Sequence, residues 1–123
     1  MKYTIILMAL LLTYATSVTA MGPWRAPCEA EKPCELGDRS YHILPPDDWD
    51  GVTPLPVMMH FHGWMRQGSL IVQHDRIASA TRKRGVLLIA PNGRGRTWDF
   101  WRSDTADVDF AAAVLEDVAK HYP

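Results

Sequence analysis

Two short runs made almost wholly of apolar residues, Pro56-Val57-Met58-Met59-His60-Phe61 and Val86-Leu87-Leu88-Ile89-Ala90, constrain this chain more than any other feature. Each is too short for a helix, and turn residues close both: His62-Gly63 after the first, Pro91-Asn92-Gly93 after the second. A strand that is apolar on both sides of its pleat has to be covered on both faces, so both runs read as buried strands. Between them, residues 69–84 carry Leu70, Val72, Ile77 and Ala80 or Thr81 at helical spacing, with Ser69 as N-cap. Gly85 closes that helix, and Arg82-Lys83-Arg84 suits the negative end of its dipole. A second helix is predicted from about Asp107 to Tyr122, with Val108, Ala111, Leu115, Val118 and Tyr122 on its inner face. Asp107 reads as a capping residue there and not as a catalytic one.

Strand, helix, strand, helix implies the α/β class, here a mostly parallel sheet with flanking helices. Residues 21–54 form an irregular, proline-rich lead-in holding one edge strand, Arg39 to Leu44, stopped by Pro45-Pro46. Two buried parallel strands would leave apolar faces and backbone groups without partners. The expectation is therefore an incomplete domain, residues 21–123, the front part of a larger one that lacks its C-terminal half.

Residues 1–20 stand apart. Lys2 precedes eight apolar residues, Ile5 to Leu12, and Val18-Thr19-Ala20 offers small residues at a cleavage point, which reads as a secretory signal peptide. Eight residues fall well short of the about 20 a helix needs to cross a bilayer, so no stable membrane insertion is expected, and the product is secreted or periplasmic. In an oxidising compartment Cys28 and Cys34, the only cysteines, read as a disulfide closing a seven-residue loop, worth about 2 kcal/mol at most. Free thiols are the other reading; a two-cysteine metal site lacks the usual spacing and nearby histidines.

With 13 Lys+Arg against 14 Asp+Glu, the chain is not a basic coat for nucleic acid. The one polarised stretch, Arg66 to Arg102, holds eight bases and two acids, mostly explained as a solvated helix face, and no nucleic-acid partner is expected. Gly93-Arg94-Gly95-Arg96 lacks the phosphate-loop pattern and reads as a loop.

Chemistry should gather beyond the carboxyl ends of parallel strands, at His62-Gly63-Trp64 and Pro91-Asn92-Gly93. A glycine after a buried strand can turn the backbone so that the next amide, of Trp64, points into a cleft and holds an oxyanion. The run of motifs Ser40 to Pro46, Pro54-Leu55-Pro56, His60-Phe61-His62-Gly63-Trp64, Val86 to Asn92, Thr97-Trp98 and Asp107-Val108-Asp109-Phe110 to Tyr122-Pro123 resembles the front of secreted polyhydroxybutyrate depolymerases and feruloyl esterase-like α/β hydrolases. The resemblance implies a serine-dependent carboxylic ester hydrolase acting on an ester substrate without a cofactor or metal. It implies Gly63 as the oxyanion turn, the Trp64 amide as one oxyanion donor and Trp98 as a substrate contact.

The same resemblance implies a nucleophile in G-x-S-x-G after the next strand, followed by Asp or Glu and then His. No such motif is present: Ser40, Ser69, Ser79 and Ser103 lack the flanking glycines, and Ser17 falls in the leader. This chain alone is therefore expected to be inactive, with no triad residue. His60 and His62 are expected to pack or to brace the turn by hydrogen bonding. Two readings from other classes remain. One is a His60-x-His62 metalloprotein, its third ligand drawn from His74, Asp75 or His42; the other is a noncatalytic exported binding module using the loop of Trp98, Phe100 and Trp101, aromatics that could instead cover the sheet edge.

Overall fold

The computed structural model describes Cys28, residues 32–99, Trp101 and residues 105–123. The leader expected at 1–20, Phe100 and Ser103 lie outside the described residues.

Gly37 and Asp38 reverse the chain between β1 (Cys34–Leu36) and β2 (Arg39–Leu44), which pair antiparallel with Leu36 opposite Arg39. Gly37 has φ +64°, and glycine at the first loop position is what a two-residue hairpin of type II′ requires. Residues 45–56 then carry the chain to β3 (Val57–Met59). The helical stretch α1 (Ser69–Val72) and α2 (Asp75–Lys83) follows, and β4 (Leu87–Pro91) lies between β2 and β3. A 3₁₀ turn, Arg94–Arg96, and α3 (Ala106–Val118) complete the chain.

The sheet has the order β1-β2-β4-β3. Only β3 and β4 run parallel; β1–β2 and β2–β4 are antiparallel. This corrects the mostly parallel sheet, the front of an α/β-hydrolase fold, expected from the strand–helix order and from the resemblance: among the described residues the sheet is small and mixed. The cause is the place at which β2 enters the sheet: the strand–helix–strand unit sets β3 parallel to β4, but β2 lies along the other side of β4 in the opposite sense, Tyr41 facing Pro91 and Leu44 facing Leu88. Arg39 to Leu44 is thus an inner strand, not the edge strand its prolines suggested.

Of the two apolar runs, only the second is buried. β4 is covered on both faces: Leu87 and Ile89 join Tyr41, Ile43, Phe110, Val114 and Val118 on the α3 side, while Leu88 and Ala90 meet Val72 on the other. β3 lies at the sheet margin, and Val57 is 47% exposed. Its ladder runs on past its ends, with the His60 N–H donating to the Ile89 carbonyl (2.8 Å) and the Leu87 N–H to the Pro56 carbonyl (2.9 Å).

The single helix expected over residues 69–84 is broken at Gln73 and His74, where His74 takes an extended conformation (φ −77°, ψ 111°). Gly68, not Ser69, occupies the cap position. The other end matches the sequence signal. Gly85 at φ +69° follows α2, the Val86 N–H bonds the Thr81 carbonyl (3.0 Å) and the Gly85 N–H the Arg82 carbonyl (3.4 Å), the paired bonds of a Schellman cap.

α3 is rotated from the expected face. Phe110, Val114 and Val118 point inward with Asp107, whereas Val108 and Leu115 are exposed. Asp107 fixes this rotation because its carboxylate forms a buried ion pair with Arg39 (2.8 Å) and accepts the Asp99 N–H (2.5 Å). Phe110 packs over the same guanidinium at 3.7 Å from ring centroid to carbon. Farther along α3, the Tyr41 hydroxyl donates to Asp117 (2.9 Å). Burial, that bond and the charge of Asp117 raise the Tyr41 pKa. Burial works to raise that of Asp117, but hydrogen bonds from Lys120 and Tyr41, with the charges of Lys120 and His121, hold it below the ordinary carboxylate range.

Cys28 and Cys34 form a disulfide, their Cα atoms 5.2 Å apart, at the start of β1. Both cysteines belong to the core on the α3 side, so the bond fastens the lead-in onto the sheet.

Candidate functional site

The parallel pair β3–β4 directs its two carboxyl ends to one side, and the segments leaving those ends are cross-linked there. His62 is the centre of the linkage, with only 2% of its surface exposed. Its Nε2 accepts the Gly93 N–H (2.9 Å), which fixes that nitrogen as unprotonated. Nδ1 therefore carries the proton and donates it to the Gly63 carbonyl at 2.8 Å. The His62 carbonyl accepts the indole N–H of Trp98 (2.8 Å). Backbone, imidazole and indole thus tie the end of β3 to the loop after β4.

Beyond His62 the chain makes a tight turn. The Arg66 N–H returns to the Gly63 carbonyl (3.1 Å), making Trp64 and Met65 the central residues. Trp64 has negative φ and Met65 has φ +56°, the sign pattern of a type II turn, whose third position favours glycine. Met65 is held in this left-handed conformation by donating its N–H to the Arg96 carbonyl (2.8 Å), and Arg96 is itself left-handed at φ +62°. Two non-glycine residues in that region, joined by one hydrogen bond, place backbone strain at the mouth of the site.

Gly63, expected to provide the sharp bend, is not the left-handed residue. A Cβ at Gly63 would meet nothing closer than the Arg66 Cγ at 4.0 Å. The glycines that the packing demands are Gly93, where a Cβ would lie 2.1 Å from the Thr97 carbonyl oxygen, and Gly68, where it would lie 2.2 Å from that of Ala90.

The Gly63 and Trp64 N–H groups make no hydrogen bond among the described residues, while the N–H groups of Met65 and Arg66 on the same turn are both engaged. The Trp64 side chain is 80% exposed. Trp98, by contrast, is 7% exposed and part of the core, tilted against the His62 ring (4.8 Å) and edge-on to Phe61 (5.1 Å). It supports the turn from behind. Trp101 is exposed.

His60 and His62 do not share a site. His60 lines an apolar groove with Met58, Ile77 and Thr81 of the α2 side, and its Nδ1 is buried without a hydrogen-bond partner. Both ring nitrogens of His62 are already used. Among the described residues no group of three or more His, Cys, Asp or Glu side chains is placed to hold a metal ion.

Two residues that sequence patterns did not single out organise this region. Asn92 donates its side-chain amide to Ser40 Oγ (3.0 Å) and accepts the Gly68 N–H (2.7 Å), joining β2, β4 and α1. Arg39 donates to the Asn92 carbonyl (3.1 Å) and thereby links the Asp107 pair to the loop after β4. Asn92 had the signature of a turn residue only, and Arg39 that of an exposed strand end.

No protein-family model, no curated protein and no solved structure matches this chain.

Proposed function

We propose that this chain supplies the oxyanion-binding part of a carboxylic ester hydrolase, of the polyhydroxybutyrate depolymerase or feruloyl esterase type in activity, with the Trp64 amide as donor. The observation that supports this most is the pair of unbonded N–H groups at Gly63 and Trp64, on a turn whose neighbouring polar groups are engaged. When a hydroxyl attacks an ester carbonyl, the carbonyl oxygen gains a full negative charge. A fixed N–H aimed at that oxygen stabilises the intermediate without reorganising, and one such donor contributes on the order of 10²–10³ in rate. His62, Trp98 and Met65 are positioning residues here, since they act through the turn. The His62–Gly93 bond couples the turn to the loop after β4.

The attacking hydroxyl, general base and acid are to be supplied by a further segment, since G-x-S-x-G does not occur in the sequence. The disulfide fits an exported protein, secreted or periplasmic. No helix among the described residues is long and apolar enough to cross a membrane.

The purified chain, assayed with p-nitrophenyl butyrate, is expected to release nitrophenol no faster than buffer. Turnover that a serine-directed phosphonate abolishes would contradict the assignment, because it would require a nucleophile within these residues.

A further inference from the structure

We propose that the cleft between β2, the start of α1 and the 3₁₀ turn binds the oxyanion group, carboxylate or phosphate, of a small molecule through Arg66 and Arg96. The cleft has a volume of about 370 Å³, the size of a pocket for a small metabolite. Arg66, Gln67, Ser40, Ser69, Asn92 and Arg96 line it, and no carboxylate does.

The charges are available. Arg39, Arg82 and Arg94 are each ion-paired, to Asp107, Asp47 and Asp38 respectively. Arg66 and Arg96 have no ion pair among the described residues. Arg66 and Arg96 both border the cleft, so a bound anion can accept charge-assisted hydrogen bonds from either guanidinium.

The hydroxyls are arranged to donate. Ser40 Oγ accepts from the Asn92 amide (3.0 Å) and Ser69 Oγ from the Gln67 amide (2.8 Å). With a lone pair engaged in each case, each hydroxyl still has its proton to give. The backbone carrying the arginines is fixed as well, by the Arg66 N–H to Gly63 bond and by the Arg96 carbonyl accepting the Met65 N–H. The cleft therefore presents cations and hydroxyl donors on a held frame, a chemistry suited to an oxyanion and unsuited to a cation.

This inference does not depend on the ester hydrolase reading, since neither the Trp64 amide nor any nucleophile takes part. Isothermal titration of the full chain with inorganic phosphate and, separately, with succinate, both at constant ionic strength in sodium chloride, tests it. Saturable binding of either anion is expected, and the arm that binds identifies the oxyanion. Arg66→Gln and Arg96→Gln should each weaken binding about tenfold or more, while Arg82→Gln, whose arginine is paired with Asp47 away from the cleft, should leave it unchanged. Absence of saturable binding by both anions, or binding that Arg66→Gln and Arg96→Gln leave intact, would overturn the proposal.

Discussion

Arg39→Met is expected to destabilise the fold by about 3 to 5 kcal/mol, the cost of leaving one member of a buried ion pair without its partner. The methionine keeps much of the side-chain volume, so the loss falls on the charge. Among the described residues, Asp107 would retain only the Asp99 N–H as a hydrogen-bond donor, and the Asn92 carbonyl would lose its Arg39 donor. Part of the loss is offset, because Arg39 Nε is buried without a partner in the native protein. Against a typical domain stability of about 5 to 15 kcal/mol, a change of this size shows as a large shift in a urea midpoint. Adding Asp107→Asn to Arg39→Met should cost little more, since the second change removes the stranded charge. An Arg39→Met midpoint within experimental error of the wild type would show that the pair does not hold α3 to the sheet.

The second large effect is at Gly93. Gly93→Ala places a methyl group 2.1 Å from the Thr97 carbonyl oxygen and 2.9 Å from its carbon, and backbone atoms cannot swing aside as a flexible side chain can. The loop after β4 has to move, at a cost of about 1 to 3 kcal/mol, and the movement pulls the Gly93 N–H away from His62 Nε2. Gly63→Ala is the matched control. Its new methyl group meets only the Arg66 Cγ at 4.0 Å, and no left-handed φ is violated, so its cost should stay within about 0.5 kcal/mol. Thermal unfolding of the two variants side by side gives the comparison, and equal midpoints would remove Gly93 from its role as anchor of the turn.

This contrast also shows what a sequence can and cannot reveal. Gly63 follows an apolar strand and carries the pattern of a bend, yet the left-handed residue is Met65, held there by Arg96 from a segment 31 residues away, a cause that no local pattern records. Local features were legible. The Cys28–Cys34 disulfide, the strand from Arg39 to Leu44, the core of β4 and the Gly85 cap all follow from short-range chemistry. Pairing was not. The runs containing β3 and β4 look alike in composition, but one is central and the other marginal, because that depends on which strands lie beside them. The mixed sheet arises from the same non-local choice, β2 entering beside β4. In α3, Val108 and Leu115 competed with Phe110 and Val114 for the inner face, and a buried carboxylate decided the rotation. Of the candidate site, Trp64 and His62 were visible from their place after a strand, whereas Arg66, Arg96 and Asn92 meet only in the folded chain.

The Trp64 amide proton itself gives the most direct measurement. In a ¹⁵N–¹H titration with phenylphosphonate, performed on the Arg66→Gln/Arg96→Gln background so that the arginine cleft does not contribute, the Trp64 resonance should move downfield and saturate. The Met65 resonance, already bonded to Arg96, should stay in place. Trp64→Pro fits the second position of this turn and removes the donor together with the exposed indole, whereas Trp64→Ala removes the indole alone, so the first should abolish the binding and the second should retain it. A Trp64 resonance that does not move, or undiminished phosphonate binding by Trp64→Pro, would contradict an oxyanion-binding turn in this protein.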